Sequence, residues 1–152
     1  TDFQRWSALK GAKAVLEGLR EELVSFRDER GRELFDLPDA PRPGEDADAP
    51  PRFLPEFDNL MLAHDDRTRV IADEHRGEVV TKNLRVRATV LWDGVAVATW
   101  AIERQRDLAT LRVAPFGRLP RGAKTALTDE GEALLRFAEP DARTFAVTTT
   151  AA

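Results

Sequence analysis

No cysteine occurs in the 152 residues, so disulfides, thiolate zinc sites and cysteine nucleophiles are excluded. Histidine appears only at positions 64 and 75, which leaves little material for imidazole acid–base or metal chemistry. No apolar run approaches the roughly 20 residues that cross a bilayer, and the first residues do not form a charged-then-apolar leader. A glycine-rich phosphate loop, a nucleophile elbow and a histidine–glutamate zinc motif are all missing. Neither a cofactor nor a membrane partner is therefore expected, and a reducing cytoplasm is the expected location. What is present, 42% hydrophobic and 33% charged residues, is the balance of a globular chain with no disordered bias. Its length allows one ordinary domain, or one domain with part of another.

The net charge of −4 argues against a general nucleic-acid coat, but it is unevenly spread. Residues 38–80 carry five basic and eleven acidic side chains, whereas residues 81–122 carry eight basic and three acidic. A basic block inside an acidic chain forms an anion-facing surface or a solvated face paired to the acidic segments.

The chain opens as the body of a fold. Thr1 or Asp2 can cap a helix over residues 2–9, with Phe3, Trp6 and Leu9 on one face. Lys10-Gly11 forms a turn, and a second helix is expected over residues 12–22, burying Val15, Leu16, Leu19 and Leu23. Residues 23–27 and 32–37 alternate around Asp28-Glu29-Arg30-Gly31, a hairpin signature in which Gly31 supplies positive φ. Helix, turn, helix and hairpin make the back half of a winged helix, its second helix the recognition helix and its hairpin the wing. A first helix would precede Thr1, so a C-terminal piece of a longer protein is expected. The domain spans residues 1–37.

Residues 38–51 hold five prolines, one glycine and four acids, with no side chain able to build a core. They read as an acidic linker. A β-rich module is expected over residues 52–152. It starts with a helix over 56–64, followed by short helical pieces over 66–71 and 72–79. The period then changes to two: strands over 85–92 and 95–102 flank Asp93-Gly94, the strongest two-residue hairpin signal of the chain, and a third runs over 108–113. An uninterrupted register groups Val86, Ala88, Val90 and Trp92 with Val95, Val97 and Thr99. Arg87, Leu91, Ala98, Trp100 and Ile102 share the other face. With both faces apolar, the sheet is covered on both sides or curls into a small barrel. A helix over 120–137, weakened at Gly131, and a last strand over 144–149 complete the module. The fold class is α+β: a partial winged helix, helix-turn-helix plus β-hairpin wing, followed by a β-rich, barrel-like module with a flanking helix.

His64-Asp65-Asp66 and Asp73-Glu74-His75 have the composition of a hard-metal or general-base site. Helix capping by Asp65 or Asp66, and pairing of Arg67 with Asp58 or Asp66, account for them structurally, and no metal or catalytic residue is assigned there. Trp6, Trp92 and Trp100 are expected in the core, with Trp92 the most exposed and able to stack on a base.

The stretch RFLPEFDNLMLAHDDRTRVI over residues 52–71 resembles the bacterial winged-helix DNA-binding family that includes the AlkZ-type DNA glycosylases. DFQRWSAL, FRDERGRELFDLPDAP, VLWDGVAVATWAIER and LRVAPFGRLP resemble it too, so the likeness covers nearly the whole chain. It implies the last of several tandem winged helices, then a β-rich C-terminal module. It also implies association with DNA and, for the glycosylase members, excision of alkylated bases. The family's catalytic motif is Gln, a hydrophobic residue, then Gln or Asp. Gln105-Arg106-Asp107 has the spacing but not the hydrophobic centre, so no catalytic residue is carried over.

The expected partners are double-stranded DNA and the preceding winged-helix domains of the same parent chain, at the bacterial nucleoid. Phosphate contacts are expected from Lys10, Lys13 and Arg20 on the helix, Arg30 and Arg32 on the wing, and Arg85, Arg87, Arg104 and Arg106 on the sheet. Such contacts position a protein without reading sequence. A protein-interaction or structural module with no DNA affinity is the alternative.

Overall fold

The computed structural model describes residues 2–150, which divide into two compact units between Ala47 and Asp48. Thr1, named above as one choice of helix cap, lies outside the described residues.

In the first unit, α1 (Asp2–Ser7) and α2 (Ala12–Gly18) are joined through Gly11, whose φ of 76° only glycine adopts without strain. The second helix stops four residues earlier than its periodicity suggests. Leu19 N–H closes back on the carbonyls of Val15 and Leu16, and a single 3₁₀ turn at Arg20–Glu22 leads into extended chain. Strands β1 (Val24–Arg27) and β2 (Glu33–Asp36) pair antiparallel as expected, with Gly31 at φ 74°. The Asp28 carboxylate accepts from the backbone N–H groups of Arg30 and Arg32 at 3.0 and 2.8 Å, which closes the turn.

The second unit is a five-stranded sheet in the order β3-β4-β5-β6-β7, comprising Arg52–Leu54, Thr89–Trp92, Val95–Gln105, Leu108–Pro115 and Thr144–Thr149. All neighbours are antiparallel except β6 and β7, which run parallel with α5 (Ala123–Ala138) as their crossover. Asp93 and Gly94 take φ of 51° and 74°, the pair of left-handed residues a type I′ hairpin requires. Two residues beyond that turn the register breaks: Leu91 faces Ala96, but Val90 faces Ala98. The extra residue, Val97, is a β-bulge: it stays with Val90 and Trp92 as expected, but the residues beyond it change sides. Val90, Ala98, Trp100 and Ile102 therefore join Ala109, Leu111, Val113 and the buried side of α5 in one core. Leu91 and Ala96 turn to a second core with Met61, Ile71, Val79 and Val86.

The sheet is covered on both sides here, and it does not close into the barrel-like module expected from sequence. Among the described residues its edge strands β3 and β7 have no partner beyond β4 and β6. The sheet is curled nonetheless. A Cβ built on Gly131 of α5 would meet Val147 of β7 at 3.1 Å and Phe53 of β3 at 3.5 Å, so side chains from both edges reach one point on the helix. Helix α5 packs against both edge strands and β6. Gly131, read from sequence as a weakness, is what permits that approach.

Other expectations fail for local reasons. Strand β3 was not expected and lies just before the expected helix; Trp100 Nε1–H holds it by donating to the Leu54 carbonyl at 2.8 Å. The helix expected over 56–64 shortens to α3 (Asn59–Leu62), capped by the Asp58 carboxylate accepting from Leu60 N–H at 2.8 Å. Residues 66–71 form turns, and residues 72–79 give a 3₁₀ turn, Asp73–His75, followed by α4 (Arg76–Val79). Asp66 makes a side-chain turn to Thr68, and Arg67 donates to the Met61 carbonyl in place of the expected aspartate. Trp6 is 60% exposed, against the expectation of a core residue, whereas Trp92 and Trp100 pack on the sheet core.

Candidate nucleic-acid interface

A cation can grip a phosphate only if its charge is not already spent inside the protein. Among the expected contacts, Arg20, Arg32, Arg85 and Arg104 have internal partners. Arg20 forks onto Glu17 at 2.7 and 2.9 Å and onto Glu33 at 2.7 and 3.0 Å, and its guanidinium lies over Phe35. It thereby ties the end of α2 to β2. Hydrogen bonds from Arg20 hold the Glu17 and Glu33 carboxyls below their ordinary value, and the same bonds raise the arginine's own. Arg32 pairs with Asp28 at 2.6 Å and, by that hydrogen bond first, lowers the Asp28 carboxyl. Arg85 pairs with Glu56 at 2.6 Å. Arg104 spans the β5–β6 turn, meeting Glu139 at 3.4 Å and the carbonyls of Arg106 and Asp141 at 2.6 and 3.0 Å.

Lys10, Lys13, Arg87 and Arg106 are exposed and make no side-chain ion pair among the described residues. Arg30 is exposed on the hairpin turn. The basic sheet expected from residues 85–106 is not one surface. Strand β4 starts only at Thr89, so Arg85 and Arg87 sit on the preceding tight loop, and Arg106 caps the distant β5–β6 turn at φ 52°.

Sequence reasoning passed over three cations. Arg118, Arg121 and Lys124 lie on the segment between β6 and the first turn of α5, exposed and without an ion pair among the described residues. The segment is anchored, because Phe116 N–H donates to Val97 at 3.0 Å, Ala123 N–H donates to Pro120 at 3.2 Å, and Leu119 packs on the core. The signal was available: residues 108–128 contain four cations and no acid.

The acidic candidates are structural in geometry. His75 stacks on Phe116 with ring centres 4.9 Å apart, and its Nδ1 lies 2.9 Å from Glu78. No group of three or more His, Asp or Glu side chains able to hold a metal occurs among the described residues. A cavity of about 150 Å³ lies under α3 and α4, lined by Met61, Leu62, Ile71, Val79 and Val80 with Arg67 and Arg76. It offers no nucleophile and no carboxylate, so its walls carry no acid–base chemistry.

A family model described as "DNA glycosylase AlkZ-like" matches residues 1–137. The chain belongs to the AlkZ-like DNA glycosylase family. Among solved structures, Streptomyces sahachiroi DNA glycosylase AlkZ is similar, with 25% identity and a TM-score of 0.72. The match covers 98% of this chain and 40% of that one, so the chain spans well under half of the AlkZ structure. No curated protein sequence matches. For an AlkZ-like chain the glutamines have particular interest. Gln4 lies on α1, and Gln105 ends β5 beside the two-residue turn Arg106-Asp107, where the middle side chain is a cation.

Proposed function

We propose that this chain is a DNA-holding part of a DNA-repair protein that excises alkylated bases, working in the bacterial cytoplasm at the nucleoid. It grips duplex backbone by cations that have no internal partner. In this reading the two helices and hairpin of the first unit serve as the back half of a winged helix, with Lys10 and Lys13 facing phosphate. In the second unit Arg87, Arg106, Arg118, Arg121 and Lys124 take that role, while Arg20, Arg32, Arg85 and Arg104 act as internal ties. Membership of the AlkZ-like family over residues 1–137 is the observation that carries it.

Fluorescence anisotropy with a labelled duplex, titrated with salt, tests the proposal. Affinity should fall linearly on log–log axes, with a slope of about −0.9 per phosphate contact. The variant Arg118→Ala/Arg121→Ala/Lys124→Ala should flatten that slope by roughly two to three contacts while Arg20→Ala leaves it unchanged. Absence of binding at about 20 mM salt would sink the proposal, since counterion release is strongest there. It would favour the second reading, a protein-interaction module. That reading is supported by the net charge of −4 and by the exposure of Trp6, Leu9, Val15 and Leu37 at 51–63%.

A further inference from the structure

Among the large aliphatic side chains described in the second unit Leu84 is the most exposed, at 78%, and its backbone sits at φ 59°. A leucine in the left-handed region is a steric outlier, and such outliers persist only where the surroundings enforce them. Here they do. Thr81 N–H donates to the Arg85 carbonyl at 2.9 Å, Leu84 N–H donates to Thr81 at 2.9 Å, and Arg85 N–H donates to the Thr81 hydroxyl at 3.2 Å. The Val80–Val86 bridge closes the base of this loop against a buried core. A second apolar outlier is strapped beside it. Phe57, 53% exposed at φ 60°, donates its N–H to the Val86 carbonyl at 3.2 Å, and Glu56 pairs with Arg85.

The loop reads Lys82-Asn83-Leu84-Arg85, with Arg87 just beyond; Arg85 is held by Glu56, which leaves Lys82 and Arg87 as the cations that can face a groove. Cations and an asparagine around a protruding aliphatic group are what minor-groove wedges use: the polar residues hold the groove while the apolar tip separates two base pairs. An exposed leucine alone would need no explanation. One held rigidly in a disfavoured conformation, at the centre of a cationic loop, does. We propose that Leu84, with Phe57 next to it, is a wedge that inserts at a base step of duplex DNA and unstacks it. This rests on the DNA-holding role above and adds a specific act to it.

The test is a duplex carrying 2-aminopurine, whose fluorescence rises when the base unstacks, titrated with the full 152-residue chain. Wild type should raise the fluorescence. Leu84→Gly should abolish that rise and weaken binding by roughly five- to a hundredfold, the scale of one lost base contact. Its salt slope should match wild type, because no phosphate contact is removed. Glycine relieves the backbone at this position, so Tm should stay level or rise. That outcome separates a wedge from a structural leucine, whose loss would lower Tm. Binding by wild type with no fluorescence change, or a rise retained in Leu84→Gly, overturns the wedge and leaves the backbone grip standing. No binding at all overturns both.

Discussion

The two units of this chain are stabilised by different means. Among the described residues of the second unit sixteen apolar side chains are buried, and Val90, Ala98, Leu111, Val113 and Leu135 have no exposure at all. In the first, Ala12 alone is buried among the described residues, and Phe3, Trp6, Val15, Leu19, Phe26 and Leu34 are all 39% exposed or more. Charge does in the first unit what packing does in the second. Arg20 bridges helix to hairpin, and Arg42 pins the start of the proline-rich segment by reaching Asp36 and lying over Phe26. Burial removes apolar area from water and is insensitive to pH, whereas exposed ion pairs are weak, screened by salt and dependent on protonation. The same feature bears on function. Arginines used as ties are withdrawn from the DNA-facing pool, so the first unit, which needs them most for its own structure, has fewer to offer.

The largest expected effect comes from the second unit's core. Leu111→Ala or Leu135→Ala should cost about 2–5 kcal/mol in urea unfolding, because each leaves a cavity where relaxation is limited. Leu19→Ala in the first unit should cost less than about 1 kcal/mol, since its side chain already meets water. Equal costs would erase the contrast between the units.

A smaller effect is expected at Gly131. Replacement by valine should destabilise by about 1–3 kcal/mol, because its branches would drive into Val147 and Phe53 where helix meets curled sheet. Alanine adds only the Cβ, and the roughly 1 kcal/mol it gains in helix propensity offsets much of the crowding. A stable valine variant would show that helix and sheet can move apart there.

The subtlest test concerns the ties of the first unit. The Glu17 and Glu33 carboxyls are lowered from 4.5, so they contribute stability above that value and lose it as pH falls through their lowered values. The protection of β1 and β2 amides, taken relative to their intrinsic exchange at each pH, should therefore fall below pH 4.5, while β6 stays protected. Arg20→Met should bring the same loss of protection to neutral pH. If β6 responded as strongly as β1, the two units would not differ in the way their burial indicates.

Several elements were legible because their causes are local. The Asp93-Gly94 turn, the Gly31 hairpin and the strand at 144–149 follow from backbone preference and period, and all three are present. The Val97 bulge was not legible, because its cause is the register that neighbouring strands impose, and one extra residue made the β5 residues beyond it change sides. Strand β3 was hidden because Phe53 and Leu54 fit a helix as well as a strand until β4 is there to pair with. Among the candidate contacts, cations could be counted from sequence, but which of them are spent could not. Glu33 lies thirteen residues from Arg20, and Glu139 lies thirty-five from Arg104.

The sequence by itself determined the family, the α+β class and the turns, since each depends on residue types at short spacing. Only the tertiary structure decided which faces are buried, that α5 packs on a sheet left open, and which arginines remain available. Those outcomes depend on long-range pairing and on charge neutralised across the fold, which no local pattern records.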